Sequence, residues 1–335
     1  MMKNFKNKTV LITGGTGLIG SHLVDALLQI DAKVIVLGRN KNKITDVFQK
    51  HLHNPDFSYL EADISDGIPE QIDYINYIFH AASPISGEEI KTQPVNVIKS
   101  NLTGTEKCLE FLKFQKEQHG ISGRMIVFSS ATVYGTSADR DTSVSENETS
   151  RADTLTSANI AYSESKRMIE VIARSYFIQY SIETVIIRIG YVYGYTKYMP
   201  NTAFYEFIKK AVNGMDLILR NSGLSRRDNI FVEDVVKGLL LIALSGAPGE
   251  VYNISSNGEK ENFKSIDEIA KLITDSANKI RAGKQIAVHT QNFNPNHKPG
   301  VKLNNTKLKN LGWSVETSIK EGIEITLRQY MKTRG

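Results

Sequence analysis

The chain has 335 residues and a mass of 37.4 kDa, enough for two domains or for one large α/β unit with an appendage. A hydrophobic share of 41% against 23% charged residues excludes wholesale disorder, and the single cysteine, Cys108, excludes an internal disulfide framework and a cysteine-built zinc site. A net charge of +5 spread along the chain suits an anionic small molecule and solubility, not a nucleic-acid groove. With no apolar run near the roughly 18 residues of a membrane span, the expectation is a cytoplasmic enzyme or binding protein, without nucleic acid or membrane as partner.

The first half alternates between short apolar runs and helical patterns. Thr9–Thr13, Lys33–Leu37, Phe57–Leu60, Tyr77–His80, Met125–Phe128 and Thr184–Ile189 read as strands. Between them, amphipathic stretches at about Val95–Gln118 and about Ala161–Gln179 read as helices. Continuously apolar strands alternating with helices predict a doubly wound parallel sheet of the Rossmann type over residues 1–190. The rhythm then loosens. Helices are predicted at Thr202–Val212, Glu233–Leu244 and Ser265–Ala277, with apolar pieces such as Val251–Ile254 between them and a polar loop at Gln291–Gly300. This predicts a smaller C-terminal α/β substrate lobe over 191–335, with segments at about 225–245 packing back on the first domain. The polar stretch Thr136–Asn159 predicts a long functional or mobile loop.

The first strand runs directly into Gly14-Gly15-Thr16-Gly17-Leu18-Ile19-Gly20, with Gly14, Gly17 and Gly20 three apart, and then into a helix. Glycines permit the sharp turn and a close approach of backbone N–H groups to a pyrophosphate, which the helix N-terminus also attracts. Strand, loop and helix in this order predict a dinucleotide site on Gly14, Thr16, Gly17, Leu18, Ile19 and Gly20. The second strand ends in Gly38-Arg39, where an Asp would read the ribose of NAD. The cofactor is therefore NAD or NADP, with Arg39 tipping the balance slightly to NADP; a solvated charged loop is the plainer account of Arg39.

Three Tyr-x-x-x-Lys pairs occur: Tyr162/Lys166, Tyr193/Lys197 and Tyr205/Lys209. Only the first opens the helix that follows Met125–Phe128, whose end, Ser129-Ser130-Ala131-Thr132, lies at the ligand edge of such a sheet. An adjacent ammonium and an oxidised nicotinamide ring, both cationic, would favour the phenolate of Tyr162, which could then take a proton from an alcohol while the carbon gives up hydride. Ser130 would hold the same oxygen. The plainer alternative is a packed tyrosine and a surface lysine. His51 and His53 lack a third ligand at usable spacing and read as a solvated loop, so no metal is expected.

These motifs, in order, resemble the extended short-chain dehydrogenase/reductase superfamily, specifically its NAD-dependent epimerase/dehydratase group, over essentially the whole chain. The resemblance implies a nucleotide-diphosphate sugar as substrate. It places Asp63 and Ile64 against the adenine, Ala81, Ala82 and Ser83 beside the cofactor, and Asn101 on the helix that flanks it. It assigns Ser130, Tyr162 and Lys166 to catalysis, the last two touching cofactor as well. It implies substrate contacts from Ser130, Thr132, Tyr191, Arg227 and Lys298, and a homodimer formed through a four-helix bundle of the two long helices. Three departures stand out. Ala131 and Thr132 occupy places where dehydratases of the group keep Asp-Glu; Tyr191 replaces an Asn that often holds the diphosphate; and Lys298-Pro299-Gly300 replaces Arg-Pro-Gly. Epimerisation at C4 fits best, with a 4-keto-sugar reductase consuming NADPH, a 4-dehydrogenase, or a dinucleotide-binding regulator as rivals.

Overall fold

Both faces of the apolar strands are buried, each in a different core. In the computed structural model, which describes residues 2–84, 87–135, 143–148, 154–292 and 300–333, the first half comprises β1 (Thr9–Thr13), α1 (Leu18–Leu28), β2 (Lys33–Gly38), α2 (Lys41–Val47), β3 (Phe57–Glu61), β4 (Tyr77–His80), α3 (Gly87–Thr92), α4 (Pro94–His119), β5 (Arg124–Phe128), β6 (Ser143–Val144), α5 (Ile160–Tyr180) and β7 (Glu183–Ile189). The chain continues through β8 (Tyr191–Tyr193), α6 (Ala203–Val212), β9 (Leu217–Leu219), β10 (Arg226–Phe231), α7 (Val232–Ser245), β11 (Val251–Ile254), β12 (Phe263–Ser265), α8 (Ile266–Ile280), β13 (Val288–Thr290), β14 (Lys302–Leu303), α9 (Thr306–Lys309) and α10 (Ile319–Lys332).

Seven strands form one parallel sheet in the order β11-β7-β5-β4-β1-β2-β3. Val10 and Ile12 of β1 enter a core with Leu23 and Leu27 of α1 and Leu239 of α7. Leu11, between them, enters the opposite core with Leu109 and Leu112 of α4 and Ile169 of α5. That two-sided burial is the physical reason the strands carry no polar alternation. Chain order reverses between β1 and β4, so the loops leaving their carboxyl ends diverge and open a crevice.

The second half returns to this sheet. β11 pairs with β7, Val251 opposite Ile186 and Ile254 opposite Ile189. Helix α7 packs Val235, Leu239 and Ile242 into the same core as α1. Trp313 also joins that core, its indole N–H donating to the Asp234 carbonyl at 2.9 Å. The remaining lobe is built on β12-β10-β8 and β13-β9. Its core is formed by Tyr205, Ile208, Ile269, Ile273, Ile323 and Leu327 of α6, α8 and α10. A capping box between Ser265 and Glu268 starts α8.

Helices α4 and α5 pack on each other and on the sheet, yet Val95, Phe114, Val171 and Ile178 stay exposed on them. Among the described residues no helix is long and apolar enough to cross a membrane. Of the polar stretch 136–159, residues 136–142 and 149–153 lie outside the described residues, while Ser143–Val144 pairs with Lys302–Leu303.

Candidate active site

The glycine loop is locked to the end of β4. Thr13 Oγ1 lies 2.8 Å from His80 Nδ1 and accepts the Ala82 N–H at 3.2 Å. Gly14 adopts φ +69°, and a Cβ there would lie 2.7 Å from Ala82 N; a Cβ at Gly20 would lie 2.5 Å from Gly14 O. Gly17 caps α1 without a side-chain bond, and the first turn, beginning Leu18-Ile19-Gly20, holds no acidic residue. The first N–H groups of α1 are therefore left to an external acceptor. His80 is buried, and burial together with the Lys166 charge pushes it down to about 3, so it is neutral at pH 7.

At the neighbouring edge, Arg39 is exposed and its Nη1 lies 3.9 Å from Asp63 Oδ2. Asp63 also accepts the Ser65 N–H at 2.9 Å, and Glu61 accepts the Lys41 N–H at 3.0 Å. Ile64 is buried against α4, where a Cβ on Gly104 would come within 3.1 Å of its Cγ2. Across the crevice, Asn101 ties three motifs together. It accepts from the Ser83 hydroxyl at 2.7 Å and donates to Ser165 Oγ at 2.8 Å, and Ser165 donates to the Tyr162 carbonyl at 3.0 Å.

The structure brings Ser130, Thr132, Tyr162 and Lys166 to the end of β5. The partly buried phenol of Tyr162 faces the Ser130 hydroxyl. Burial raises its pKa, against the lowering effect of the Ser130 hydroxyl, and the proximity of the Tyr191 phenol raises it further. The Lys166 ammonium by itself does not depress Tyr162 in this geometry. Lys166 Nζ lies 5.8 Å from the Tyr162 ring centroid and donates instead to the Phe128 carbonyl at 2.7 Å. Burial lowers the lysine itself to about 7.

A polar network beneath these residues escaped the sequence reading. Ser129 donates to Glu170, which takes two bonds from Arg188, Nε–Oε1 at 2.9 Å and Nη2–Oε2 at 2.8 Å. Arg188 Nη1 donates to the Tyr134 hydroxyl at 2.9 Å, and Tyr134 donates to Asn253 Oδ1 at 2.8 Å. Burial would lower the guanidinium, but Glu170 outweighs it and the net shift is upward. The signals were present: Glu170 stands one helical turn after Lys166, and Arg188 is the single charge within the apolar run Thr184–Ile189, which demands a partner.

From the second lobe, the Arg227 guanidinium lies over the Tyr191 ring, 4.8 Å from its centroid, with Nη1 donating to the Arg226 carbonyl at 2.9 Å. Asp228 anchors this strand by accepting N–H groups of Asn257, Gly258 and Leu303. Lys298 lies outside the described residues. The two other Tyr/Lys pairs have structural partners: Tyr205 donates to the Gly194 carbonyl at 3.0 Å, and Lys197 pairs with Asp46 of α2 at 2.7 Å.

The family model for the NAD dependent epimerase/dehydratase family matches residues 10–255 of this chain. The chain belongs to that family. It is 28% identical to UDP-glucuronic acid decarboxylase 6 of Arabidopsis thaliana over 324 residues, covering 95% of this chain and 88% of that protein. The structure of UDP-glucose 4-epimerase with UDP-glucose from Thermotoga maritima shares the fold, with a TM-score of 0.79 at 23% identity, covering 98% of this chain and 100% of that one. So does dTDP-glucose 4,6-dehydratase from Bacillus anthracis in complex with NAD, with a TM-score of 0.78 at 24% identity, covering 98% and 97% of the two chains.

The dinucleotide of this epimerase/dehydratase family fits the residues present. Gly14 and Gly20 leave no room for side chains, and α1 opens with unclaimed donors suited to a pyrophosphate. Asp63 and Ile64 stand at the far edge of the same crevice, beside Arg39.

Proposed function

We propose that this protein is a nucleotide-diphosphate-sugar 4-epimerase of the cytoplasm, binding its dinucleotide on residues 1–190 and its substrate against residues 191–335. The observation that carries the reading is the cluster of Ser130, Tyr162 and Lys166 at the end of β5, followed by Ala131 and Thr132, neither of which can act as a carboxylic acid. Bound NAD would supply a hydride acceptor and donor. Tyr162 removes the proton of the C4 hydroxyl and returns it to the opposite epimer. Ser130 holds that oxygen in line, Lys166 is fixed by the Phe128 carbonyl beside the Tyr162 ring, and oxidised NAD, when bound, would bring the positive charge that lessens the cost of the phenolate. Arg227 takes the diphosphate in this reading, a role that its stacking on the Tyr191 ring supports.

Incubation with UDP-glucose, with the C4 epimer followed by proton NMR, tests the reading. Tyr162→Phe is expected to lose on the order of 10²-fold or more in kcat; full turnover by that variant sinks the assignment. A second reading, a reductase consuming NADPH, draws on Gly38-Arg39, although Arg39 already faces Asp63. Mass spectrometry of nucleotide released on denaturation separates the two. Stoichiometric NAD supports recycling, and an empty protein that binds NADPH supports the reductase. The exposed apolar face of α4 and α5 supports a homodimer through a four-helix bundle.

A further inference from the structure

Ser130 Oγ stands at a junction of three groups. The Thr132 N–H approaches it at 3.2 Å and the Thr132 hydroxyl donates to it at 3.0 Å. The Tyr162 phenol is the third neighbour. A serine hydroxyl has two lone pairs and one hydrogen. Both groups of Thr132 act as donors, so the lone pairs are taken and only the hydrogen remains for Tyr162.

We propose that Thr132 is a positioning residue that fixes Ser130 as a hydrogen-bond donor, its one hydrogen shared in a three-centre bond between the Tyr162 oxygen and the substrate oxygen that reacts beside it. The inference deepens the epimerase reading and rests on it for the identity of that substrate oxygen. Direction matters because the two possible senses oppose each other. A serine that donates to the phenol oxygen stabilises the phenolate, whereas a serine that accepts holds the phenol proton in place. Without the Thr132 hydroxyl, one lone pair of Ser130 is freed and the accepting arrangement becomes available. The place is the second after the active-site hydroxyl, where an acid would take part in the chemistry directly; here a fixed donor acts through its neighbour. Among the described residues, the other groups facing Tyr162 are Lys166 on its own helix and Tyr191 from β8, and neither is bonded to Thr132.

The test compares Thr132→Val, which keeps the shape and the N–H but removes the hydroxyl, with Thr132→Ser, which keeps the hydroxyl. With UDP-glucose as substrate, Thr132→Val is expected to lose roughly tenfold in kcat, the worth of one hydrogen bond, with KM little changed. The rising limb of its pH–kcat profile should move to higher pH, and Thr132→Ser should recover both. An unchanged kcat and limb in Thr132→Val, equal losses in both variants, or a loss confined to KM would overturn the proposal. A substrate-free readout separates this outcome from the fate of the epimerase reading. In protein carrying tyrosine labelled with carbon-13 at Cζ, with Tyr162 assigned by Tyr162→Phe, the Tyr162 titration should move upward in Thr132→Val. That shift without turnover would uphold the role of Thr132 and end the epimerase reading; turnover without the shift would do the reverse.

Discussion

Replacing Lys166 by Met tests the electrostatics of the site without any substrate. Lys166 is 3% exposed, and its ammonium donates to the Phe128 carbonyl at 2.7 Å. Burial brings it down to about 7, whereas in an unfolded chain it titrates near 10.4. Between those values the unfolded chain holds a proton that the folded one has released, so stability rises with pH across this window. Below about pH 7 both states are protonated and this contribution is flat. At ~1.4 kcal/mol per pH the whole window is worth about 5 kcal/mol, of which about 3 kcal/mol falls between pH 6 and pH 9. Lys166→Met preserves the length of the chain and removes the titration. In nucleotide-free protein, the melting temperature of wild type relative to the variant should therefore rise by about 4 °C from pH 6 to pH 9. Taking the difference between the two proteins cancels the other titrating groups. A difference that stays constant over this range would refute the reasoning, because it would mean that Lys166 keeps its ordinary pKa in the fold.

Other consequences follow from the same geometry. Glu170→Ala leaves the Arg188 guanidinium buried beneath the site without its carboxylate; the expected cost is about 3–5 kcal/mol, seen as a lower melting temperature, and an unchanged melt would show that the pair is solvent-screened. Gly14→Ala places a Cβ 2.7 Å from Ala82 N in a left-handed backbone, so it should weaken NAD binding in calorimetry and cost about 1–3 kcal/mol of stability; unaltered affinity would remove the glycine loop from the cofactor site. Val171→Asp with Ile178→Asp on the exposed face of α5 should convert a dimer to a monomer in sedimentation velocity, and a wild type that already sediments as a monomer ends the four-helix proposal.

Features encoded locally were readable before any coordinates. A strand buried on both faces must be apolar throughout, so β1, β2, β4, β5 and β7 stood out, and α4 and α5 followed from their helical period. Gly14 and Gly20 were readable because only glycine tolerates their close approaches. Tyr162 and Lys166 were readable by spacing together with their place after β5. Which sheet Val251–Ile254 would join was not, since so short a strand pairs equally well with any open edge. Nor did Trp313 announce that it would reach the main core through Asp234.

The chemistry of the site divides along the same line. Residue identity established that a serine, a tyrosine and a lysine could meet, and that no acid follows Ser130. Only the folded chain decided that Lys166 donates to the Phe128 carbonyl, that burial raises Tyr162, and that Glu170 clasps Arg188 beneath Ser129. Composition and periodicity report which residue types occur and on which face. Proton position and pKa depend on desolvation and on partners within about 3 Å, and those partners come from segments far apart in the chain.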